Sequence, residues 1–274
     1  MPSKTTKQPL IFVTLACASV VSNSGLQAEG LQLSLVNRDT VSERLRQGEV
    51  PAKVRQSVVE RLFAESGCEA RTQAIDKKSS NVICDLPGQT NATIVVGAHL
   101  DFVEKGQGIV DDWSGVSLLV SLYQTLKFQN PKHSYEFVAF AGEERGLLGS
   151  TRYVKELNAR PGPPTAFVNL ECLGLTPPKV WVTRSNPVLV RKLLEIASAV
   201  HISVEGVNVD NVGDDDTHPF FSKKIPVISI HSITQEKWKI LHSPNDNIKA
   251  IDPGQYYNAY RLVAFYLDYL DSQL

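Results

Sequence analysis

The hydrophobic positions between residues 93 and 232 fall into four apolar runs rich in β-branched and aromatic residues. The runs are TIVVGAHL (93–100), YEFVAFAG (135–142), TAFVNLECL (165–173) and PVISIHS (226–232). They are continuous rather than alternating, which is typical of strands that are buried on both faces of a sheet. We therefore expect each run to be a strand in the middle of a sheet.

Segments with the helical spacing of apolar residues lie between these runs and after the last of them, at 114–128, 147–158, 187–201 and 253–272. Alternation of buried strands with helices predicts an α/β fold, with a mixed, mostly parallel central sheet that is flanked by helices on both faces. Sheets of this kind bind their ligands at the carboxyl ends of the strands.

The segment before the first strand also has recognisable patterns. Residues 40–63 have helical spacing, and Pro51 is expected to divide them into two helices. Cys68 and Cys84 flank two short predicted strands around the turn-rich stretch DKKSS, where a disulfide could close the hairpin in an oxidising compartment. Cys172 lies inside an apolar strand and is expected to be a buried small hydrophobic residue.

The N-terminus has the features of a secretory signal peptide. Lys4 and Lys7 precede the apolar run PLIFVTLACASVV (9–21), which is followed by the small polar residues SNSG. A basic start, an apolar centre and a small-residue exit predict a signal peptide over residues 1–28. We therefore expect a secreted or periplasmic protein, with no membrane association after the signal is removed, because the run is too short to span a bilayer.

The N-terminal pattern leaves alternatives open. The cleavage point is not decided among three positions, after Ala18, Ser24 or Ala28. Cys17 would suit a lipoprotein, although VTLAC lacks a leucine three residues before the cysteine. A buried N-terminal helix or strand is a further alternative.

Composition narrows the function classes. The chain has 274 residues, with 28 Lys and Arg against 29 Asp and Glu, so it lacks the basic surface of a nucleic-acid-binding protein. There is no linker-like stretch. Residues 29–274 are therefore predicted to be one catalytic domain, with 29–90 as its N-terminal helical and hairpin part. Its oligomeric state is left open.

Charged or imidazole side chains follow the predicted strands, at His99, Asp101, Glu143, Glu144, Glu171 and His231, and a further histidine, His242, stands in LHSPNDN. Any one of them could simply mark the end of a strand. Together they need partners, because charges rarely end apolar strands unless they are paired or liganded. Imidazoles and carboxylates are ligands of zinc, and the lack of a cysteine cluster argues against a structural cysteine site.

Five motifs, in this order, resemble the co-catalytic (di-zinc) aminopeptidase family of secreted metallopeptidases, which also includes glutamate carboxypeptidase and, more distantly, the glutaminyl cyclases. The motifs are GAHLD (97–101), GIVDDWSG (108–115), FAGEERGLLGS (140–150), VNLECLG (168–174) and LHSPNDN (241–247). The resemblance runs from about residue 90 to the end and implies a zinc exopeptidase-like fold.

The resemblance also implies roles for the site residues. The metal ligands would be His99, Asp111, Glu144, Glu171 and His242, with Asp111 shared by two zinc ions. Glu143 matches the general base, which takes a proton from a water activated by both ions.

Three further residues would support this site. Asp101 would orient the imidazole of His99 from behind the ligands. Asp246 would support His242 in the same way, and Asp112 would be a supporting neighbour of Asp111.

The sequence departs from the family pattern in three places. Glu171 stands where the family usually has aspartate, and Leu241 stands where its peptidases often have a tyrosine that stabilises the oxyanion. The segment DDDTHPFFSKKIPV (214–227) is shifted by one residue at Thr217 and His218. We expect the substrate pocket to include Asp214–Asp216 and His218, the alternative being a solvated acidic loop that caps a helix. The other histidines, His133, His201 and His231, are expected in the core, on the surface or behind the ligands.

The function that the resemblance implies is a secreted zinc aminopeptidase that hydrolyses the N-terminal bond of peptide substrates. An alternative is a glutaminyl cyclase-like acyltransferase with a single zinc, which the tail around Trp238 partly resembles. The stretch GEERGLLGS (142–150) has the peptidase form, without the insertion that cyclases carry. A third alternative, a binding module that has lost its metals, would predict substituted ligands, yet all five ligand positions hold plausible ones.

Overall fold

One mixed sheet runs through the residues that the computed structural model describes, which are 33–159, 162–210 and 213–274. Its strands are β1 (Arg71–Ala74), β2 (Ser80–Leu86), β3 (Thr93–His99), β4 (Ser134–Phe140), β5 (Ala166–Glu171), β6 (Lys179–Val180), β7 (Glu205–Gly206) and β8 (Val227–His231). Their order across the sheet is β1-β2-β4-β3-β5-β8-β6-β7. The predicted signal peptide, residues 1–28, lies outside the described residues.

The four apolar runs of the sequence form the parallel centre of this sheet. Strand β3 pairs in parallel with β4 and β5, and β5 pairs in parallel with β8. The β1–β2 hairpin joins antiparallel to β4, and β6 joins antiparallel to β8. The prediction of a mixed, mostly parallel sheet is confirmed, whereas the two-residue strands β6 and β7 are too short to show a pattern in the sequence.

Helices cover both faces of the sheet. They are α1 (Arg38–Arg46), α2 (Ala52–Glu65), α3 (Ser114–Leu126), α4 (Leu148–Glu156), α5 (Pro187–Ala199), α6 (Thr217–Ser222) and α7 (Pro253–Gln273). Short 3-10 turns follow at Leu157–Ala159, Trp238–Ile240 and Ile248–Ala250, and an irregular turn, Ile109–Trp113, precedes α3. Pro51 separates α1 from α2 as expected. Among the described helices, none is long and apolar enough to cross a membrane.

Alternate side chains of the central strands enter two different cores, which explains why the runs are apolar throughout. On β4, Tyr135 and Phe137 pack into the large core that contains α3 and α7. Val138 and Phe140 pack into a smaller core with residues of α4 and α6. Both faces of the strand are therefore dry, and a polar residue would be costly on either one.

Helix α3 lies between the sheet and α7, and its few polar residues pair with tyrosines of α7. The hydroxyls of Ser117 and Tyr256 are 2.5 Å apart, and those of Thr125 and Tyr260 are 2.6 Å apart. A buried hydroxyl is tolerated when it has such a partner. These pairs fix the position of α3, whose N-terminal end carries the turn that leads into the candidate site.

The N-terminal helices belong to the same core. Arg44 donates to the Ser121 hydroxyl at 3.0 Å, and the Trp113 indole donates to the Arg44 carbonyl at 3.0 Å. The Val36 N–H donates to the Tyr260 hydroxyl at 2.7 Å. Residues from 33 onward thus pack against α3 and α7, while the predicted domain boundaries at residues 28 and 29 stay a prediction.

The hairpin is closed by a disulfide between Cys68 and Cys84, and Cys172 is a buried free thiol. The cysteines are 16 residues apart in the sequence. A crosslink over such a distance stabilises the fold mainly because it restricts the unfolded chain.

Replacing both cysteines with serine should lower the free energy of unfolding by about 3 kcal/mol, the value expected for a loop of this length. Urea unfolding of the double variant against the wild type measures this difference. Reduced wild-type protein is the control and should resemble the double variant. An unchanged free energy would contradict a stabilising role for the disulfide.

Candidate metal centre and active site

The predicted site residues lie at one edge of the sheet, where the parallel central strands end. His99 is the last residue of β3 and Glu171 is the last residue of β5. Glu143 and Glu144 follow β4 within one turn. Because the three strands are neighbours and run in the same direction, their ends bring these side chains together.

Asp111 lies between two imidazole rings. Its Oδ1 is 2.9 Å from Nε2 of His99, and its Oδ2 is 3.2 Å from Nε2 of His242. It belongs to the irregular turn Ile109–Trp113, in which the Asp111–Asp112 peptide bond is cis. One carboxylate thus offers one oxygen to each of two sets of donor atoms.

Two groups of three residues could each hold a metal ion. The first triad is His99, Asp111 and Glu171, and the second triad is Asp111, Glu144 and His242. Within each triad, one donor atom from every residue lies within 4.8 Å of the others. All five predicted ligand residues are therefore brought together, and Asp111 is common to both triads.

The longer side chain at position 171 still reaches the first triad. Glu171 Oε1 is 3.3 Å from Nε2 of His99, and the other oxygen, Oε2, accepts a hydrogen bond from the Asn169 amide at 3.2 Å. In the second triad, Glu144 Oε1 is 3.0 Å from Nε2 of His242. Glutamate in place of aspartate therefore keeps a carboxylate oxygen within the first triad.

The carboxylates of the two triads attract positive charge strongly. Burial lowers the pKa of His99, but the negative charges of Glu171 and Glu143 outweigh burial and raise that pKa well above its ordinary value. The hydrogen bond with Asp111 raises the pKa of His242 to about 9. Burial acts to raise the pKa of Asp111, yet the hydrogen bonds from His242 and His99 hold it below its usual range. A divalent cation site requires such an excess of negative charge.

Asp101 supports the site in a way that the sequence did not predict. Its main-chain carbonyl, and not its carboxylate, lies 3.0 Å from Nδ1 of His99. The carboxylate accepts hydrogen bonds from the N–H groups of Gly142 at 2.6 Å and Glu143 at 3.0 Å. Asp101 therefore orients the imidazole through its backbone and holds the turn after β4 through its side chain.

The carboxylate of Asp246 contacts the Asp111 segment rather than His242. Within the described residues, its Oδ1 accepts from the N–H of Val110 at 2.7 Å, and its carbonyl accepts from the N–H of Gln107 at 2.7 Å. The prediction that Asp246 supports His242 is corrected, since the two contacts hold the loop that leads into Asp111.

Asp112 is fully buried and belongs to neither triad. Its carboxylate accepts hydrogen bonds from the N–H groups of His99 at 3.3 Å, Gly115 at 3.1 Å and Cys172 at 3.0 Å. It thus joins the end of β3, the start of α3 and the end of β5. Burial raises the pKa of Asp112 well above its ordinary value.

Glu143 lies beside both triads and belongs to neither, and its side chain lines the same cavity as the ligands. Burial raises its pKa to about 10, with the charge of His99 opposing and that of Glu171 adding to the effect. Burial and the charge of Asp111 raise the pKa of Glu144 to about 7. A carboxylate with a raised pKa, close to the ligands but not among them, can accept a proton and later release it.

A cavity of about 380 Å³ adjoins both triads. Its apolar walls are Leu147, Trp181, Val209, Ile233, Trp238 and Leu241. Leu241 therefore contributes an apolar surface at the position where the family often has the hydroxyl of a tyrosine. His231 also lines the cavity, and burial lowers its pKa to about 4, so its ring is neutral at pH 7.

The predicted pocket residues Asp216 and His218 do not line this cavity, whereas Asp214 and Asp215 do. Asp216 is fully buried, and His218 is exposed beside Asp214, with 2.5 Å between its Nδ1 and Asp214 Oδ2. Asp214 also pairs with Arg184 at 2.9 Å. The pocket prediction is thus corrected, because the start of α6 turns Asp216 inward and His218 outward.

The remaining histidines are outside both triads. His133 is buried, with its Nδ1 3.0 Å from Asp271, and His201 is exposed. The Nε2 of His231 lies 3.0 Å from the Val207 carbonyl, and its Nδ1 accepts from the N–H of Ile233 at 3.1 Å. These positions agree with the expectation that none of the three is a ligand.

Asn169 is a site residue that sequence reasoning missed. Its amide donates to Glu171 and, at 3.2 Å, to Asp215, whose carboxylate also accepts from the Ser229 hydroxyl at 2.6 Å. Asn169 and Glu171 are two residues apart on one strand and thus point to the same face. That spacing is the sequence signal that could have identified it.

A family comparison agrees with this geometry: the model of peptidase family M28 matches residues 81–267, more than half of the chain. The chain belongs to this family. Leupeptin-inactivating enzyme 1 of Streptomyces exfoliatus is 29% identical over 157 residues, which cover 56% of this chain and 35% of that protein. A probable leucine aminopeptidase 2 of Aspergillus oryzae is 35% identical over 103 residues, covering 35% of this chain and 21% of the relative. The chain therefore matches well under half the length of these two relatives.

Solved structures show the same M28 fold. The Legionella pneumophila LapA aminopeptidase has a TM-score of 0.75 at 20% identity, covering 87% of this chain and 72% of that one. The glutaminyl cyclase of Porphyromonas gingivalis has a TM-score of 0.72 at 18% identity, covering 88% and 100%. BSAP, a zinc aminopeptidase of Bacillus subtilis, has a TM-score of 0.61 at 24% identity, covering 69% and 49%. At these identities the likeness concerns the fold.

Proposed function

We propose that the protein is a secreted aminopeptidase that uses two zinc ions and Glu143 as general base. The observation that carries this proposal is the sharing of Asp111 by two triads, with Glu143 beside them and outside both. A non-enzymatic binding module would not require a carboxylate between two complete donor sets together with an uncommitted one.

The donor set suits zinc. Each triad offers one imidazole nitrogen and two carboxylates. This combination occurs in catalytic zinc sites, which keep a further position for water or substrate. When bound, two such ions would supply Lewis-acid polarisation of the scissile carbonyl and would favour deprotonation of water.

Glu143 would handle the proton. Its carboxylate would take a proton from the attacking water and pass it to the amine that leaves when the peptide bond breaks. The raised pKa of Glu143 favours holding that proton, and cations in the two triads would bring the pKa back toward neutrality because they stabilise the charged form.

The cavity would accept an apolar N-terminal side chain. Its walls are aliphatic and aromatic, and of its acidic residues Asp214 is paired with Arg184, while Asp215 accepts hydrogen bonds from Ser229 and Asn169. These acids therefore present little free charge to a substrate. An apolar preference also agrees with relatives that carry the name leucine aminopeptidase.

Secretion is part of the proposal. The support is the basic-apolar-small pattern of residues 1–28 together with the disulfide between Cys68 and Cys84, which suits an oxidising compartment. Mass spectrometry of the N-terminus after expression with export in a bacterial host tests this, and an uncleaved chain that stays in the cytoplasm would contradict it.

Metal analysis combined with a substrate panel tests the proposed activity. We expect two zinc ions per chain, and release of leucine from leucyl-anilide and leucyl peptides that a chelator abolishes and added zinc restores. Cyclisation of a peptide that begins with glutamine, with one bound zinc and no peptidase activity, would instead identify a glutaminyl cyclase. Absence of metal and of both activities would favour the binding module.

A further inference from the structure

The two catalytic glutamates are carried by a short segment after β4, residues 141–149, called the glutamate loop below. It contains Glu143 and Glu144 and leads into α4. The β1–β2 hairpin, which is outside both triads, contacts this loop at both of its ends and in its middle.

Asn81 on β2 bridges the two ends of the glutamate loop. Its Oδ1 accepts from the N–H of Ala141 at 2.9 Å, and its Nδ2 donates to the carbonyl of Gly149 at 2.9 Å. The same amide donates to Gln73 Oε1 at 2.7 Å, which fixes its orientation. Asn81 is fully buried, so loss of its side chain would leave the N–H of Ala141 and the carbonyl of Gly149 without these partners.

Gly149 allows this close contact. A Cβ at position 149 would lie 2.4 Å from Asn81 Oδ1 and 2.6 Å from the carbonyl oxygen of Ala141. No side chain fits there, so the two ends of the loop can meet around the Asn81 amide only with glycine at this position.

The tip of the hairpin holds the middle of the loop. Arg145, which directly follows Glu144, pairs with Asp76 at 2.9 Å and donates to the Ser79 hydroxyl at 2.8 Å. Asp76 is itself fixed, because its Oδ1 accepts from the N–H groups of Lys78 at 2.7 Å and Ser79 at 2.9 Å.

We propose that the β1–β2 hairpin clamps the glutamate loop, and that Asn81 is a positioning residue for Glu143 and Glu144. The catalytic part of this inference rests on the proposed function. The clamp acts on one triad only. Glu144 belongs to the second triad, whereas His99 and Glu171 of the first triad are at the ends of β3 and β5 and do not depend on the loop.

The variant Asn81→Ala separates the two triads. We expect two classes of zinc affinity in a titration, with the weaker class lowered by roughly 10- to 100-fold, the range for loss of a supporting partner, and the other class unchanged. The kcat for leucyl-anilide should fall by up to about 100-fold, as expected for small misplacements of catalytic groups. KM should change less, since the cavity walls are largely outside the loop.

The matched control is Val82→Ala. Val82 is the next residue on β2 and is fully buried, but it packs into the large core. This variant should lower stability and leave both zinc classes and kcat unchanged. A selective effect in Asn81→Ala, absent from Val82→Ala, separates positioning from general destabilisation.

Hydrogen–deuterium exchange of the metal-free proteins tests the clamp without any activity. Asn81→Ala should speed exchange in residues 141–149 and leave residues 93–99 as in the wild type. Arg145→Ala, which removes an exposed side chain and should fold normally, should speed exchange in the same segment to a smaller extent.

Unchanged exchange of the loop in both variants would overturn the clamp, as would an equal loss of affinity in both zinc classes. A wild type that binds no zinc and hydrolyses no peptide would overturn the proposed function and the catalytic role of Asn81. The exchange data would then still decide whether the hairpin holds the loop.

Discussion

The Glu143→Gln variant is expected to keep both metal ions and to lose roughly 10²- to 10⁴-fold in kcat, the contribution typical of a general base. Glutamine has nearly the same shape but cannot take a proton. Because Glu143 belongs to neither triad, the substitution removes no donor atom from them. It also removes a negative charge near His99, so zinc affinity should fall only slightly.

Zinc content by elemental analysis and kcat on leucyl-anilide measure this prediction. The control is Glu104→Gln, which changes an exposed glutamate in the loop after β3 and should behave as the wild type. If Glu143→Gln kept wild-type turnover, the base would have to be another residue. If it lost zinc, Glu143 would be a ligand.

Asp111→Asn should have the largest effect on metal binding, because Asp111 alone contributes to both triads. An amide oxygen is a much weaker zinc ligand than a carboxylate oxygen, and the amide nitrogen would face one of the two imidazoles. We expect both zinc classes to weaken by more than about 100-fold, beyond the range for residues that only support ligands. Activity should fall to that of the metal-free protein.

Asp112→Asn is the matched control, because Asp112 is the next residue and is equally buried. Its partners are main-chain N–H groups, which an amide oxygen can still accept from, and its pKa is raised, so removal of the charge costs little. Zinc titrations of the two variants, with circular dichroism to verify folding, give the comparison. Equal losses in both would mean that the segment, and not the shared carboxylate, determines metal binding.

The order of strands along the sequence did not reveal where the supporting residues point. Asp101 and Asp246 were predicted from the motifs as partners of the two histidines, but their carboxylates bind backbone N–H groups instead. A motif specifies which residue types occur together. It does not specify which of several nearby donors a carboxylate accepts from, because that depends on how the loops close.

The stretch 214–218 shows the same limit. Three consecutive aspartates suggest an exposed or pocket-lining loop, yet Asp216 is fully buried and only Asp214 and Asp215 line the cavity. The direction of each side chain follows from the entry into α6, which is too short to produce a periodic pattern. Burial of an aspartate at such a point cannot be deduced from composition.

The sequence by itself determined the four central strands, the helices between them and the chemical types of the five ligand residues. It did so because burial on both faces requires continuous apolar runs and because imidazole and carboxylate side chains at strand ends need partners. The tertiary structure decided that Asp111 lies between the two histidines, that Asn169 holds Glu171, and that Asn81 from a distant hairpin holds the glutamate loop. These contacts join residues far apart in the chain or depend on how strand ends and loops are oriented, and no local pattern records such orientations.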